Sequence, residues 1–130
     1  MVTLLILVVD DEPDVEFLFR QKFRRDLRAR RFNMDFARSA AQALGRIAET
    51  GEQTLILILS DINMPGMNGL DMLPHLRARR PDVPVIMISA YGDSQTRNTA
   101  LERGADDLLS KPIDFEWLRL KIEARLEVAA

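Results

Sequence analysis

The chain has no cysteine, and only one histidine, one tryptophan and one tyrosine among 130 residues. Without thiols there can be no disulfides and no thiolate metal sites, which fits a reducing compartment. The lone histidine, His75, reads as a solvent-facing helix residue. No sign of charge dominates. The net charge is −2, so no strong overall field draws the chain to nucleic acid or to a membrane. Long hydrophobic runs are missing too. The first, residues 4–9, has no basic segment before it and is too short for a signal-peptide core or a membrane-spanning helix. No repeat, linker or low-complexity stretch interrupts the chain. The expectation is one cytoplasmic domain over 1–130, long enough to bury a proper core.

What is present is alternation. Residues 4–9, 55–60 and 85–89, with a shorter stretch near 107–110, are continuous apolar runs, as strands buried on both faces of a parallel sheet should be. Residues 32–37 alternate instead (Phe32, Met34 and Phe36 against Asn33 and Asp35), which reads as a strand near an edge. Pro13 suits a first helical position. Val15, Phe19, Phe23 and Leu27, with Leu18, form a stripe that carries the first helix to about Arg30. Ser39 and Gln42 signal a capping box for a second helix, with Ala43, Leu44 and Ile47 inward and Gly51 as its stop. A loop rich in proline and glycine, 61–69, leads into a third helix with Leu70, Leu73 and Leu76 inward. Pro74 lies inside that helix and removes a backbone bond. Asp93 or Ser94 caps a fourth helix. Asp114 caps a fifth, with Phe115, Leu118, Ile122 and Leu126 inward. Such repeated units imply an α/β fold with right-handed crossovers and helices on both faces, and five strands fit the order 2-1-3-4-5.

Chemistry gathers where the apolar runs stop. Asp10 and Asp11 follow the first run, Asp61 follows the third, Ser89 ends the fourth, and Lys111 with Pro112 follows the fifth. Ligands of parallel sheets bind outside the carboxyl ends of the strands, so these groups should share one cleft. Two carboxylates about 4 Å apart repel by roughly 4 kcal/mol at an effective dielectric near 20. A divalent cation offsets that repulsion, and oxygen-only ligands suit Mg²⁺, with Mn²⁺ as a substitute. A carboxylate can also act as a nucleophile toward phosphorus, with lysine and metal neutralising the oxygens. Asp61, on the middle strand, is the natural nucleophile. Taken singly, each acidic residue is more often a helix cap or a turn residue. Four elements at four strand ends are not explained that way.

These residues resemble the receiver domain of two-component response regulators over essentially the whole chain. The resemblance rests on Val8-Val9-Asp10-Asp11-Glu12, on residues 60–69 (SDINMPGMNG), on Ser89-Ala90-Tyr91-Gly92, and on residues 104–112 (GADDLLSKP). It implies a flavodoxin-like doubly wound (βα)5 fold. Asp61 would accept a phosphoryl group from a phosphohistidine on a sensor histidine kinase or phosphotransfer protein. Asp11, Asp61 and the backbone carbonyl of Asn63 would bind Mg²⁺ directly, and Asp10 largely through a water. Ser89 and Lys111 would contact the phosphoryl group, and the Lys111–Pro112 bond would be cis. Asn63 and Tyr91 sit where the family tunes self-dephosphorylation. One position departs from the pattern: Leu108 stands where an aromatic residue is usual, so the common aromatic readout of activation is not expected here.

The fourth helix has only Ala100 and Leu101 as clearly apolar residues, so it should move at low cost. Trp117, Leu120 and Ala124 lie off the inward stripe of the fifth helix. They would either widen the buried stripe or form, with the fourth helix and fifth strand, an output or homodimer surface. Arg20, Lys22, Arg24, Arg25, Arg28, Arg30 and Arg31, interrupted by Asp26, read as a solvated face or as a surface for an acidic partner such as a kinase. Nucleic acid does not fit, because no aromatic residues interleave on that face. Two other functions compete. An aspartyl-phosphate phosphohydrolase would need a second aspartate where Asn63 stands, and a cap domain. A non-phosphorylated interaction module would not need the intact acidic set. No output domain is expected within these residues, and both a stand-alone receiver and a piece of a longer regulator stay open.

Overall fold

The structure is a computed structural model that describes residues 3–51, 53–90 and 92–129. Five strands pair in parallel: β1 (Thr3–Val9), β2 (Asn33–Ala37), β3 (Gln53–Asp61), β4 (Val85–Ser89) and β5 (Asp107–Ser110), in the order β2-β1-β3-β4-β5. The helices are α1 (Pro13–Lys22), α2 (Arg24–Arg28), α3 (Ala40–Ala48), α4 (Gly69–Arg79), α5 (Ser94–Glu102) and α6 (Phe115–Ala129). The expected doubly wound fold is present.

Each strand feeds two cores, because successive side chains point to opposite faces. Leu5, Leu7 and Val9 of β1 join Ala43, Ile47, Leu73, Leu76 and Ala100 on the α3, α4 and α5 side. Ile6 and Val8 join Phe19, Phe23, Leu118 and Ile122 on the α1, α2 and α6 side. β3 carries an irregularity. Leu5 pairs with Leu55, but Ile6 pairs with Leu57. Ile56 is therefore an extra residue, and Ile56 and Leu57 both enter the α1-side core. Arg125 on α6 donates to the Ile56 carbonyl at 3.3 Å, satisfying a group the bulge takes out of the ladder.

The first helical stretch is not continuous. It breaks at Phe23 (φ −109°, ψ 22°) and restarts as α2. The Phe23 ring stays buried, against Phe32 and Phe115 at 6.1 and 6.2 Å, and the turn lets Asp26 point inward. Leu18 is not part of the buried stripe. It is 37% exposed beside Phe17 at 72%, whereas Phe19 and Phe23 are the residues of that stretch that reach the core. α3 stops at Ala48, and Gly51 (φ +63°) belongs to the turn beyond it. α4 runs through Pro74, whose ring faces solvent. On α6, Trp117 packs partly onto the core, whereas Leu120 is 70% exposed.

Candidate functional site

The C-terminal ends of β1, β3, β4 and β5 bring the acidic residues, the serine and the lysine to one edge of the sheet. Asp10 N–H donates to the Ala37 carbonyl at 2.9 Å, extending the pairing of β1 with β2 by one residue. Asp61 is the last residue of β3, in register with Ile88 on β4, rather than the first residue of the loop. The Lys111 amide donates to the Ser89 carbonyl at 2.8 Å, which ties the β5 end to the β4 end. Carboxylate oxygens of Asp10, Asp11 and Asp61 all lie within 4.8 Å of one another. Lys111 Nζ donates to Asp61 Oδ2 at 3.3 Å.

Two glycines let the walls close. A Cβ on Gly69 would stand 2.3 Å from the Asp61 carbonyl oxygen and 2.6 Å from Met87 Cε, so only glycine allows α4 to start against the end of β3. A Cβ on Gly92 would stand 2.2 Å from Ser110 Oγ, which brings the segment before α5 onto the end of β5.

The electrostatics are unbalanced. Asp61 is 4% exposed, and its buried Oδ1 has no hydrogen-bond partner. Burial pushes the Asp10 carboxyl up to about 6, helped by the Asp61 and Asp11 charges; the Glu12 N–H, donating to Asp10 Oδ1 at 2.9 Å, and Lys111 oppose the shift. Three clustered carboxylates with one lysine invite a second cation. A donor set made of oxygen alone, with a buried carboxylate oxygen still unsatisfied, fits Mg²⁺.

The other expected residues fall into place unevenly. Asn63 is exposed, two residues past β3, and the Lys111–Pro112 bond is cis. Leu108 is buried in the α3-side core with Met87, Ala100 and Ala105. Tyr91 lies outside the described residues. The sequence did not single out Glu12, whose backbone holds Asp10, or Gly69. Nor did it show that Asp26 is buried; its position among arginines hid it.

The response regulator receiver domain family matches residues 6–123. The chain belongs to that family. Two relatives are the transcriptional regulatory protein PrrA of Mycobacterium leprae and the response regulator protein PilR of Pseudomonas aeruginosa. PrrA is 38% identical over 121 residues, covering 93% of this chain and 49% of PrrA. PilR is 34% identical over 122 residues, covering 94% of this chain and 26% of PilR. The receiver thus spans between a quarter and a half of the length of these relatives. Among solved structures, the response regulator TrrA of Thermotoga maritima, in complex with Mg²⁺ and BeF, is similar with a TM-score of 0.75 and 27% identity, covering 93% of this chain and 97% of that one. The protein is thus a receiver domain of the two-component signalling class. Among its described residues no helix is long and apolar enough to cross a membrane.

Proposed function

We propose that Asp61 accepts a phosphoryl group from a phosphohistidine on a sensor histidine kinase or phosphotransfer protein, and that the receiver catalyses only its own phosphorylation and dephosphorylation. The observation that carries this reading is the cluster itself. The Asp61 carboxylate is buried beside Lys111 and faces two further carboxylates. Asp10, Asp11, Asp61 and the Asn63 carbonyl are the groups that would hold Mg²⁺. When bound, Mg²⁺ would neutralise the carboxylates and the oxygens of the incoming phosphoryl group. In transfer, the Asp61 carboxylate forms the new P–O bond and the P–N bond to the donor imidazole breaks. Lys111 supplies a fixed positive charge beside Asp61, and Ser89 supplies a hydroxyl at the end of the adjacent strand.

The signal would leave through α5, β5 and α6, as an output or homodimer surface. α1, where the basic run begins with Arg20 and Lys22, is the face for the kinase. Residues 1–130 are read as one receiver working in the cytoplasm, with Tyr91, Asn63 and Leu108 setting the lifetime and readout of the phosphorylated form.

Incubation with a small acyl-phosphate donor and Mg²⁺, followed by intact mass, tests this. One labile phosphoryl adduct is expected. It should vanish in Asp61→Asn and with a chelator, and weaken by at least tenfold in rate in Lys111→Ala. Steady turnover of many phosphoesters would point to a phosphohydrolase instead.

A further inference from the structure

The basic stretch from Arg20 to Arg31 is exposed to solvent, as expected, and part of it lines a cleft. Lys22 of α1, Arg24 and Arg25 of α2, and Arg119 of α6 line a cleft of about 340 Å³, with Gln21 and Asp26 completing it. Past the break at Phe23, Asp26 of α2 meets Arg119 of α6 at the wall of this cleft. Asp26 is 6% exposed and fully used. Its Oδ1 accepts from Arg31 at 2.6 Å and its Oδ2 from Arg119 at 2.7 Å. Arg31 also donates twice to Glu123, at 2.7 Å each. Arg119 also donates to the Lys22 carbonyl at 3.0 Å, so its guanidinium is held in one orientation. Among the described residues no carboxylate pairs with Lys22, Arg24 or Arg25. Residues 20–31 hold seven cations and one acid in a chain of net charge −2. The positive charge is local, and three of its cations, Lys22, Arg24 and Arg25, line the hollow.

A second hollow adjoins the first and shares Gln21 and Arg24 with it. It is lined by Phe17 and Arg20 besides. The Phe17 ring is 72% exposed, an aromatic surface left to water beside a basic cleft. Arginine forks match phosphate oxygens in pairs, and an exposed ring is a stacking platform for a base.

We propose that the cleft between α1, α2 and α6 binds a nucleoside polyphosphate, its phosphates among Lys22, Arg24, Arg25 and Arg119 and its base against Phe17. A nucleic-acid strand fits less well, because one aromatic platform and one short cleft give no track along which successive nucleotides could run. The site lies on α1, α2 and α6, away from the strand ends that hold Asp61.

Titration calorimetry in a chelator-containing, low-salt buffer tests it, with ATP and inorganic tripolyphosphate as probes. ATP should bind saturably at one site, and tripolyphosphate more weakly. The Arg24→Glu, Arg25→Glu double variant should lose at least tenfold in affinity for both. Phe17→Ser should bring ATP down to the level of tripolyphosphate and leave tripolyphosphate unchanged. Asp61→Asn should bind as the unaltered protein does. Phosphoryl uptake from an acyl phosphate at the normal rate shows that the double variant is folded; should it fail, Arg25→Gln alone, on a solvent-exposed position, must still weaken both probes. Absence of saturable ATP binding overturns the proposal, as does undiminished binding in the charge variants. Saturation by a single-stranded oligonucleotide but not by ATP overturns it in favour of nucleic acid.

Discussion

Gly69 and Asp26 show how single residues set the geometry on either side of the sheet. At Gly69 the nearest obstacles to a Cβ are the Asp61 carbonyl oxygen and Met87 Cε, at 2.3 and 2.6 Å. The methionine tip can move; the backbone at the phosphoacceptor position cannot move without displacing the carboxylate. Gly69→Ala should therefore cost about 1–3 kcal/mol in urea unfolding and slow phosphoryl uptake as well. Asp26 presents a different balance. Burial by itself raises its pKa, but hydrogen bonds and charge from Arg119 and Arg31 outweigh this, and the net value lies below the ordinary carboxylate range. A lowered native pKa means that stability is present above the unfolded value of about 3.9 and is lost as pH falls through the native value. Asp26→Asn should cost about 2 kcal/mol at neutral pH, below the roughly 3–5 kcal/mol of a fully buried pair because both arginines are partly exposed. The gap between variant and parent should close as the pH is lowered below about 4. A gap independent of pH would mean that packing, not charge, is lost.

Among the elements, α5 is anchored in the core near its C-terminal end. Ala100 is its buried residue, and the Ala105 amide donates to the Ala100 carbonyl at 2.9 Å. Arg77 of α4 donates to the Gly104 carbonyl at 2.6 Å, and it also bridges to Asp106. Toward the site, the helix has its Asp93 cap, accepting from the Thr96 amide at 2.7 Å, and the long Arg97–Asp107 pair at 3.6 Å. Amides at 96–99 should then exchange faster than those at 100–105 and those of α1, and a beryllofluoride phosphoryl mimic should change the protection of α5 most. Equal protection of α1 and α5, with and without the mimic, would argue against a mobile α5. The elements also show what the sequence could and could not reveal. Strands 4–9, 55–60 and 85–89 were legible because parallel strands buried on both faces are unbroken apolar runs. The same property hid the bulge at Ile56, since a run of leucine and isoleucine looks alike in either phase. The break at Phe23 was hidden because the i, i+4 spacing of Phe19, Phe23 and Leu27 survives it. The site was legible in Asp10, Asp11, Asp61, Ser89 and Lys111 because each ends an apolar run. Leu18 and Gly51 misled because a hydrophobic residue or a glycine near a helix marks its neighbourhood, not its packed side or its last residue.

At the scale of the whole molecule, stability and chemistry meet at the C-terminal edge of the sheet. Three carboxylates within 4.8 Å of one another repel in the absence of a cation, so the metal-free fold carries a standing electrostatic cost. Mg²⁺ should raise the melting temperature, by the equivalent of about 2.7 kcal/mol once its concentration is a hundredfold above the dissociation constant. A chelator should reverse the shift. Asp11→Asn and Asp61→Asn should shrink it, while Asp26→Asn should leave it intact. A melting temperature indifferent to Mg²⁺ in the parent protein would show that the cluster binds no metal.

The extra residue in β3 acts as a silent spacer. Pairing with β1 runs in step on both sides of Ile56, yet the count of residues from Leu55 to Asp61 is one longer than the ladder alone requires. Because Ile56 and Leu57 share one face, removal of Ile56 would leave every later side chain on its present face and opposite its present β1 partner, with Asp61 still beside Lys111. Anyone grafting strands between members of this family must therefore match ladder partners, not residue counts.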